Sequence, residues 1–128
     1  MSRIECVIFD WAGTTVDFGS LLPVSAFQEA FRTFGVDVTE DETRAPMGML
    51  KIDHIRTMPA MPEVANRWSS VRGTGPTEAD AQAVYERFEP ALMAVLDRHC
   101  DPKPRLLKCV AELRALGIKI GSTTDFTR

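Results

Sequence analysis

The sequence predicts an α/β protein, a partial Rossmann-like core of parallel strands with an all-helical cap inserted between them. Three observations lead there. An apolar run from Ile4 to Asp10 delivers a carboxylate to a turn holding Gly13, Thr14 and Thr15. A second apolar run, Ile118-Lys119-Ile120-Gly121, ends at Ser122-Thr123-Thr124. Between them, apolar residues recur at helical spacing. Strand, helices and strand in that order make a crossover and hence a parallel pair. Ligands of such sheets gather beyond the carboxyl ends of the strands, where Asp10 and Thr124 fall.

Each element follows in order. Ile4 to Asp10 reads as a buried strand. Val24, Phe27, Phe31 and Phe34 share a helical face, with Pro23 in the first turn and Gly35 as the stop. Thr39-Glu40-Asp41-Glu42 fits a capping box. Pro46-Met47-Gly48 breaks that short helix, and a new one is expected from Met49 to about Thr57. Pro59 and Pro62 punctuate the next stretch, before a helix from about Val64 to Val71 and a loop at Gly73-Thr74-Gly75-Pro76. Thr77 caps a long helix with Val84, Phe88, Leu92 and Val95 on one face. Asp101-Pro102-Lys103-Pro104 is a linker, and Pro104 opens a helix with Leu106, Val110 and Leu113 inward and Gly117 as its stop. The expected organisation is a first core strand and turn over residues 1–21, a helical cap over 22–99, and a core helix and second strand over 100–128.

Of the 128 residues, 45% are hydrophobic and 26% charged, an ordinary globular balance with one modest core. Fifteen basic and eighteen acidic side chains leave a net charge of -3, without a basic run or an aromatic-basic patch, so nucleic acid is not an expected partner. No apolar stretch is long enough to span a bilayer, and Met1-Ser2-Arg3 leads directly into a strand. Cys6, Cys100 and Cys109 lack metal spacing and read as reduced thiols, so a cytoplasmic location is expected. Two strands are too few for an α/β sheet covered on both faces, so the chain reads as the N-terminal part of a larger protein, inactive by itself.

Three places can carry chemistry. Asp10, at a strand end, can attack phosphorus to form an aspartyl-phosphate or can cap its turn. Thr124 can offer a hydroxyl and an amide to a phosphoryl oxygen or can close a turn. Lys51 stands among apolar neighbours in Ala45-Pro46-Met47-Gly48-Met49-Leu50-Lys51-Ile52-Asp53-His54, which makes its amine a candidate nucleophile. His54 follows one helical turn later and could exchange a proton near that amine. The ordinary alternative for both is a surface side chain.

These segments resemble the haloacid dehalogenase superfamily and, within it, the phosphonoacetaldehyde hydrolase family. The resemblance is carried by Val7-Ile8-Phe9-Asp10-Trp11-Ala12-Gly13-Thr14-Thr15-Val16-Asp17-Phe18-Gly19 and by Pro46 to His54. Pro76-Thr77-Glu78-Ala79-Asp80 and Gly117 to Thr124 complete it. It implies Asp10 as nucleophile and Mg²⁺ ligand, with the Ala12 carbonyl as a second ligand. It further implies that Lys51 forms a Schiff base with the substrate aldehyde, that Met47, Gly48 and His54 line the cap side of the site, and that Thr124 binds the phosphoryl group. A small phosphonate substrate, closure of the cap over it and a homodimer formed through the cap are implied in the same way.

Ala12 then has a chemical reason. Phosphatases of this superfamily carry an aspartate there to protonate an oxygen leaving group. A carbon leaving group is too basic for that remedy, and an iminium on Lys51 takes the electrons of the P–C bond instead. The chain departs from the family pattern at Asp125 and Phe126, where Gly and Tyr are expected, and at Arg105, in place of a glycine. Two alternatives remain at this point: a generic phosphatase of the superfamily, and a non-catalytic fragment that binds a ligand or partner.

Overall fold

The computed structural model describes residues 3–16, 21–98 and 100–124. Asp17, Phe18, Gly19, His99, Asp125 and Phe126 lie outside them. The described elements are β1 (Cys6–Asp10), α1 (Leu21–Arg32), α2 (Glu40–Arg44), α3 (Lys51–Ala60), α4 (Pro62–Arg72), α5 (Glu78–Val95), α6 (Leu106–Ala115) and β2 (Lys119–Thr123), with a 3₁₀ turn at Leu96–Arg98. The chain divides into two compact units, Met1–Leu22 with Leu96–Arg128, and Pro23–Val95.

The first unit is a two-stranded parallel sheet. Cys6 pairs with Lys119, Ile8 with Gly121 and Asp10 with Thr123, so both carboxyl ends finish together. The helix α6 packs against β2, and its expected inward residues Leu106, Val110 and Leu113 are half-buried. Gly117 ends the helix with φ +74°, as a glycine stop should. At the other end Arg105 adopts φ +67°. It is the one non-glycine residue with positive φ among the described residues, and it occupies a conformation in which Cβ crowds the backbone.

The second unit is helical. Along α1, Val24, Phe27 and Phe31 are buried as their spacing predicts. Phe27 packs against Phe88 of α5 with ring centroids 4.5 Å apart, and Phe31 meets Trp68 of α4 edge-on at 6.3 Å. Both arms of the α2 capping box form: the Glu42 amide donates to Thr39 Oγ1 at 3.2 Å, and the Thr39 amide donates to Glu42 Oε2 at 2.8 Å. The same glutamate pairs with Arg67, whose guanidinium also donates to the Asp37 carbonyl at 2.9 Å, so α4 holds the start of α2. This pairing keeps the Glu42 carboxyl below its ordinary range.

Helix α3 starts two residues later than expected and runs three further. The Met49 amide is used in the preceding turn, donating to Pro46 O at 3.3 Å, and the first helical bond runs from His54 N–H to Leu50 O at 2.8 Å. Pro59 sits in the last turn instead of ending the helix. Pro62 begins α4, and Gly73 closes it with φ +77°. Thr77 caps α5 as expected, accepting from the Asp80 amide at 3.3 Å.

Candidate functional site

In the first unit the chemistry gathers where the sheet ends. Asp10 is the last residue of β1 and is exposed. Its Oδ1 accepts the Trp11 amide at 2.8 Å, which turns the chain out of the strand. The Trp11 carbonyl then accepts the amides of Thr14, Thr15 and Val16 at 3.0, 2.9 and 3.3 Å, while the Gly13 amide donates to Val16 O at 2.9 Å. Gly13 takes φ +78°, the conformation for which glycine is suited. Ala12 lies inside this closed turn, and among the described residues none of the turn's hydrogen bonds ends on its carbonyl. Thr124 is exposed and directly follows β2, one residue beyond the partner of Asp10. The structure thus places Asp10, Ala12 and Thr124 at one end of one sheet.

In the second unit Met47, Gly48, Lys51 and His54 occupy one loop and the first turn of the next helix. Gly48 has φ +97°, and Met47 is half-buried. Lys51 is the first residue of α3 and half-buried. The free amides of a helix's first turn disfavour a cation and favour an anion there.

His54 is almost wholly enclosed, at 1% exposure. Its ring stacks on Phe27 with centroids 3.8 Å apart and planes 17° apart. Burial lowers its pKa to about 4, with the charge of Lys51 adding to the effect and a hydrogen bond to the Thr43 backbone opposing it. The imidazole is therefore neutral at neutral pH, and Nε2 is buried without a hydrogen-bond partner. One helical turn in the sequence places His54 near Lys51, but only the packing shows this enclosure.

Sequence reasoning also passed over Lys103. Its ammonium donates to the Gly13 carbonyl, and its amide donates to Thr15 O at 2.7 Å. The local signal available was a lysine flanked by two prolines in a linker. Among the described residues no group of three or more His, Cys, Asp or Glu side chains could hold a metal. Asp10 and the Ala12 carbonyl are hard oxygen donors of the kind suited to a Mg²⁺ that keeps water and takes its remaining ligands from a phosphoryl group. No helix among the described residues is long and apolar enough to cross a membrane.

No family model matches the chain. A phosphonoacetaldehyde hydrolase from Bacillus cereus (strain AH820) is 52% identical over 126 residues, covering 98% of this chain and 48% of the relative. This chain resembles the phosphonoacetaldehyde hydrolases. It spans about half the length of the curated relatives it matches. The crystal structure of a phosphonoacetaldehyde hydrolase-like protein from Oleispira antarctica superposes with a TM-score of 0.85 at 40% identity, covering 98% of this chain and 46% of that one. A predicted phosphoglycolate phosphatase from Haemophilus somnus superposes at 0.66 with 17% identity, covering 98% and 53%, a likeness of fold alone. The fold is a partial haloacid dehalogenase-like α/β core with a helical cap.

Proposed function

We propose that this chain supplies the nucleophile strand and the lysine-bearing cap of a phosphonoacetaldehyde hydrolase, which cleaves a P–C bond to give acetaldehyde and phosphate. The observation that carries the reading is 52% identity over 126 residues, a stretch that covers 98% of the chain and so draws on both units. In this reading the Lys51 amine condenses with the substrate aldehyde, releasing water and leaving an iminium. An Asp10 carboxylate oxygen attacks phosphorus, and the P–C bonding electrons move into the iminium to form an enamine. Protonation of the enamine carbon and hydrolysis of the resulting imine free acetaldehyde and restore Lys51. Water cleaves the aspartyl-phosphate and releases phosphate.

A bound Mg²⁺ would offset repulsion between the Asp10 carboxylate and the phosphoryl oxygens, with Asp10 and the Ala12 carbonyl as its protein ligands. Thr124 would hold a phosphoryl oxygen. Met47, Gly48 and the neutral His54 would shape the surroundings of Lys51, where His54 could exchange protons as the imine forms and breaks. A cytoplasmic location and a homodimer formed through the cap belong to the same reading, supported by resemblance.

The test is borohydride reduction in the presence of phosphonoacetaldehyde, followed by peptide mass analysis. The expected result is a two-carbon adduct on Lys51 that disappears in Lys51→Arg. An adduct on another lysine would sink the assignment. Hydrolysis of phosphate monoesters that survives Lys51→Arg would favour a phosphatase instead.

A further inference from the structure

We infer that Lys103 is a positioning residue that helps to fix the direction of the Ala12 carbonyl, and that it does so by holding the carbonyl of the next residue, Gly13. The inference rests on the proposed role of that carbonyl as a metal ligand. The carbonyl of Ala12 and the amide of Gly13 belong to one trans peptide, so they point in opposite directions. The Gly13 amide is committed to Val16 O at 2.9 Å, which leaves the Ala12 carbonyl directed away from Val16.

That orientation holds only while the peptides on either side cannot rotate. The preceding one is fixed because the Trp11 carbonyl accepts three amides. The following one is held at both ends, its Thr14 amide by the Trp11 carbonyl at 3.0 Å and its Gly13 carbonyl by the Lys103 ammonium. The acceptor Val16 is held from the same linker: it bridges Pro102 in antiparallel fashion, and the Lys103 amide takes the adjacent Thr15 carbonyl at 2.7 Å. A methionine at position 103 could keep the backbone bond but would lose the charge-assisted one.

The experiment uses NMR on the 128-residue chain. In the unmodified protein, a correlation from the Lys103 ammonium to the Gly13 carbonyl is expected; its absence overturns the proposal without recourse to any variant. In Lys103→Met, exchange of the Gly13 and Val16 amides should quicken about tenfold, as expected for loss of one charge-assisted hydrogen bond, with α5 amides unchanged. Mg²⁺, followed through the Ala12 and Gly13 resonances, should bind several-fold more weakly, and Lys103→Arg should restore most of both effects. Unchanged exchange and unchanged Mg²⁺ response would overturn the inference. If exchange quickens but the unmodified chain does not respond to Mg²⁺, the clamp stands and the metal reading falls.

Discussion

The two units spend their apolar residues differently. Between Pro23 and Val95 the chain encloses Phe27, Phe31, Ile55, Met58, Val64, Trp68, Val84 and Phe88, each at 1% exposure or less. In the sheet unit, none of the described residues on β1, β2 or α6 is fully buried. Ile4, Ile8, Leu107 and Leu116 are between 65% and 71% exposed, and the groove between sheet and helix is lined by Phe9, Trp11, Leu106, Val110 and Ile120. One unit holds itself together by packing; the other has strand and helix in register but little covering them. The lesson is that backbone hydrogen bonds and a closed turn can define the end of a strand that little apolar packing covers.

The largest expected effect lies in the packed unit. Phe27 stacks on the His54 ring and also packs against Phe88, at 0% exposure. Phe27→Ala should cost about 3–5 kcal/mol in urea unfolding, the usual range for emptying a buried aromatic site. A cost under about 1 kcal/mol would break the contrast between the units.

Acid should weaken the same unit next. The unfolded chain protonates His54 near its ordinary 6.5, whereas the folded ring resists until about 4. Between those values the unfolded state binds more protons, so stability falls as pH falls and is flat above 6.5. The loss by pH 4 should reach about 3 kcal/mol from His54. Glu42 acts in the same direction: Arg67 stabilises its charged form, and that contribution fades as pH drops below the ordinary 4.5. Urea titrations at stepped pH should show the decline beginning below 6.5, and His54→Leu should flatten the upper part of it. A His54 proton uptake near 6.5 in the folded protein, seen by NMR, would show the enclosure to be wrong.

Much of this was legible locally. A strand end, a positive-φ glycine and a carboxylate adjoin in Asp10 to Gly13, and four consecutive residues from Thr39 spell the α2 capping box. Both signals depend on neighbours in sequence, and the turn and the capping box both formed; the strand before the turn begins at Cys6 instead of Ile4 and alternates between exposed and half-buried residues instead of being buried. The inward face of α6 was legible too, but not its degree of cover, because that depends on what packs outside it. The enclosure of His54 depends on Phe27 in another helix, and the Lys103 contact joins residues 90 positions apart; neither leaves a periodic trace. The positive φ of Arg105 leaves no trace in the arginine itself; the signal was the glycine that the resemblance places at that position.

Arg105 gives a smaller prediction, now in the sheet unit. Its side chain makes no capping hydrogen bond to α6, while its backbone bears the left-handed conformation at φ +67°. Arg105→Gly should therefore stabilise the chain by about 1 kcal/mol, the penalty for a Cβ in that region less the added freedom of the unfolded glycine. Chemical denaturation would register it as a higher midpoint with an unchanged slope. A loss of stability would mean that the arginine makes contacts in solution that outweigh its backbone cost.

The smallest expected effect tests the contrast most directly. Ile8 sits in the middle of β1, paired with Gly121, yet is 67% exposed. Threonine keeps the β-branched shape that suits a strand and removes apolar surface that is mostly in water already. Ile8→Thr should thus change stability by less than about 0.5 kcal/mol. Because the substitution leaves the backbone pairing intact, its cost reports only what lies against that face. If the measured cost approached that of Phe27→Ala, the face would be covered in solution by something that replaces water, and the two units would differ less than their solvent exposure indicates. Repeating the measurement at several protein concentrations would then separate a second copy of the chain, whose contribution grows with concentration, from contacts within one molecule, whose contribution does not.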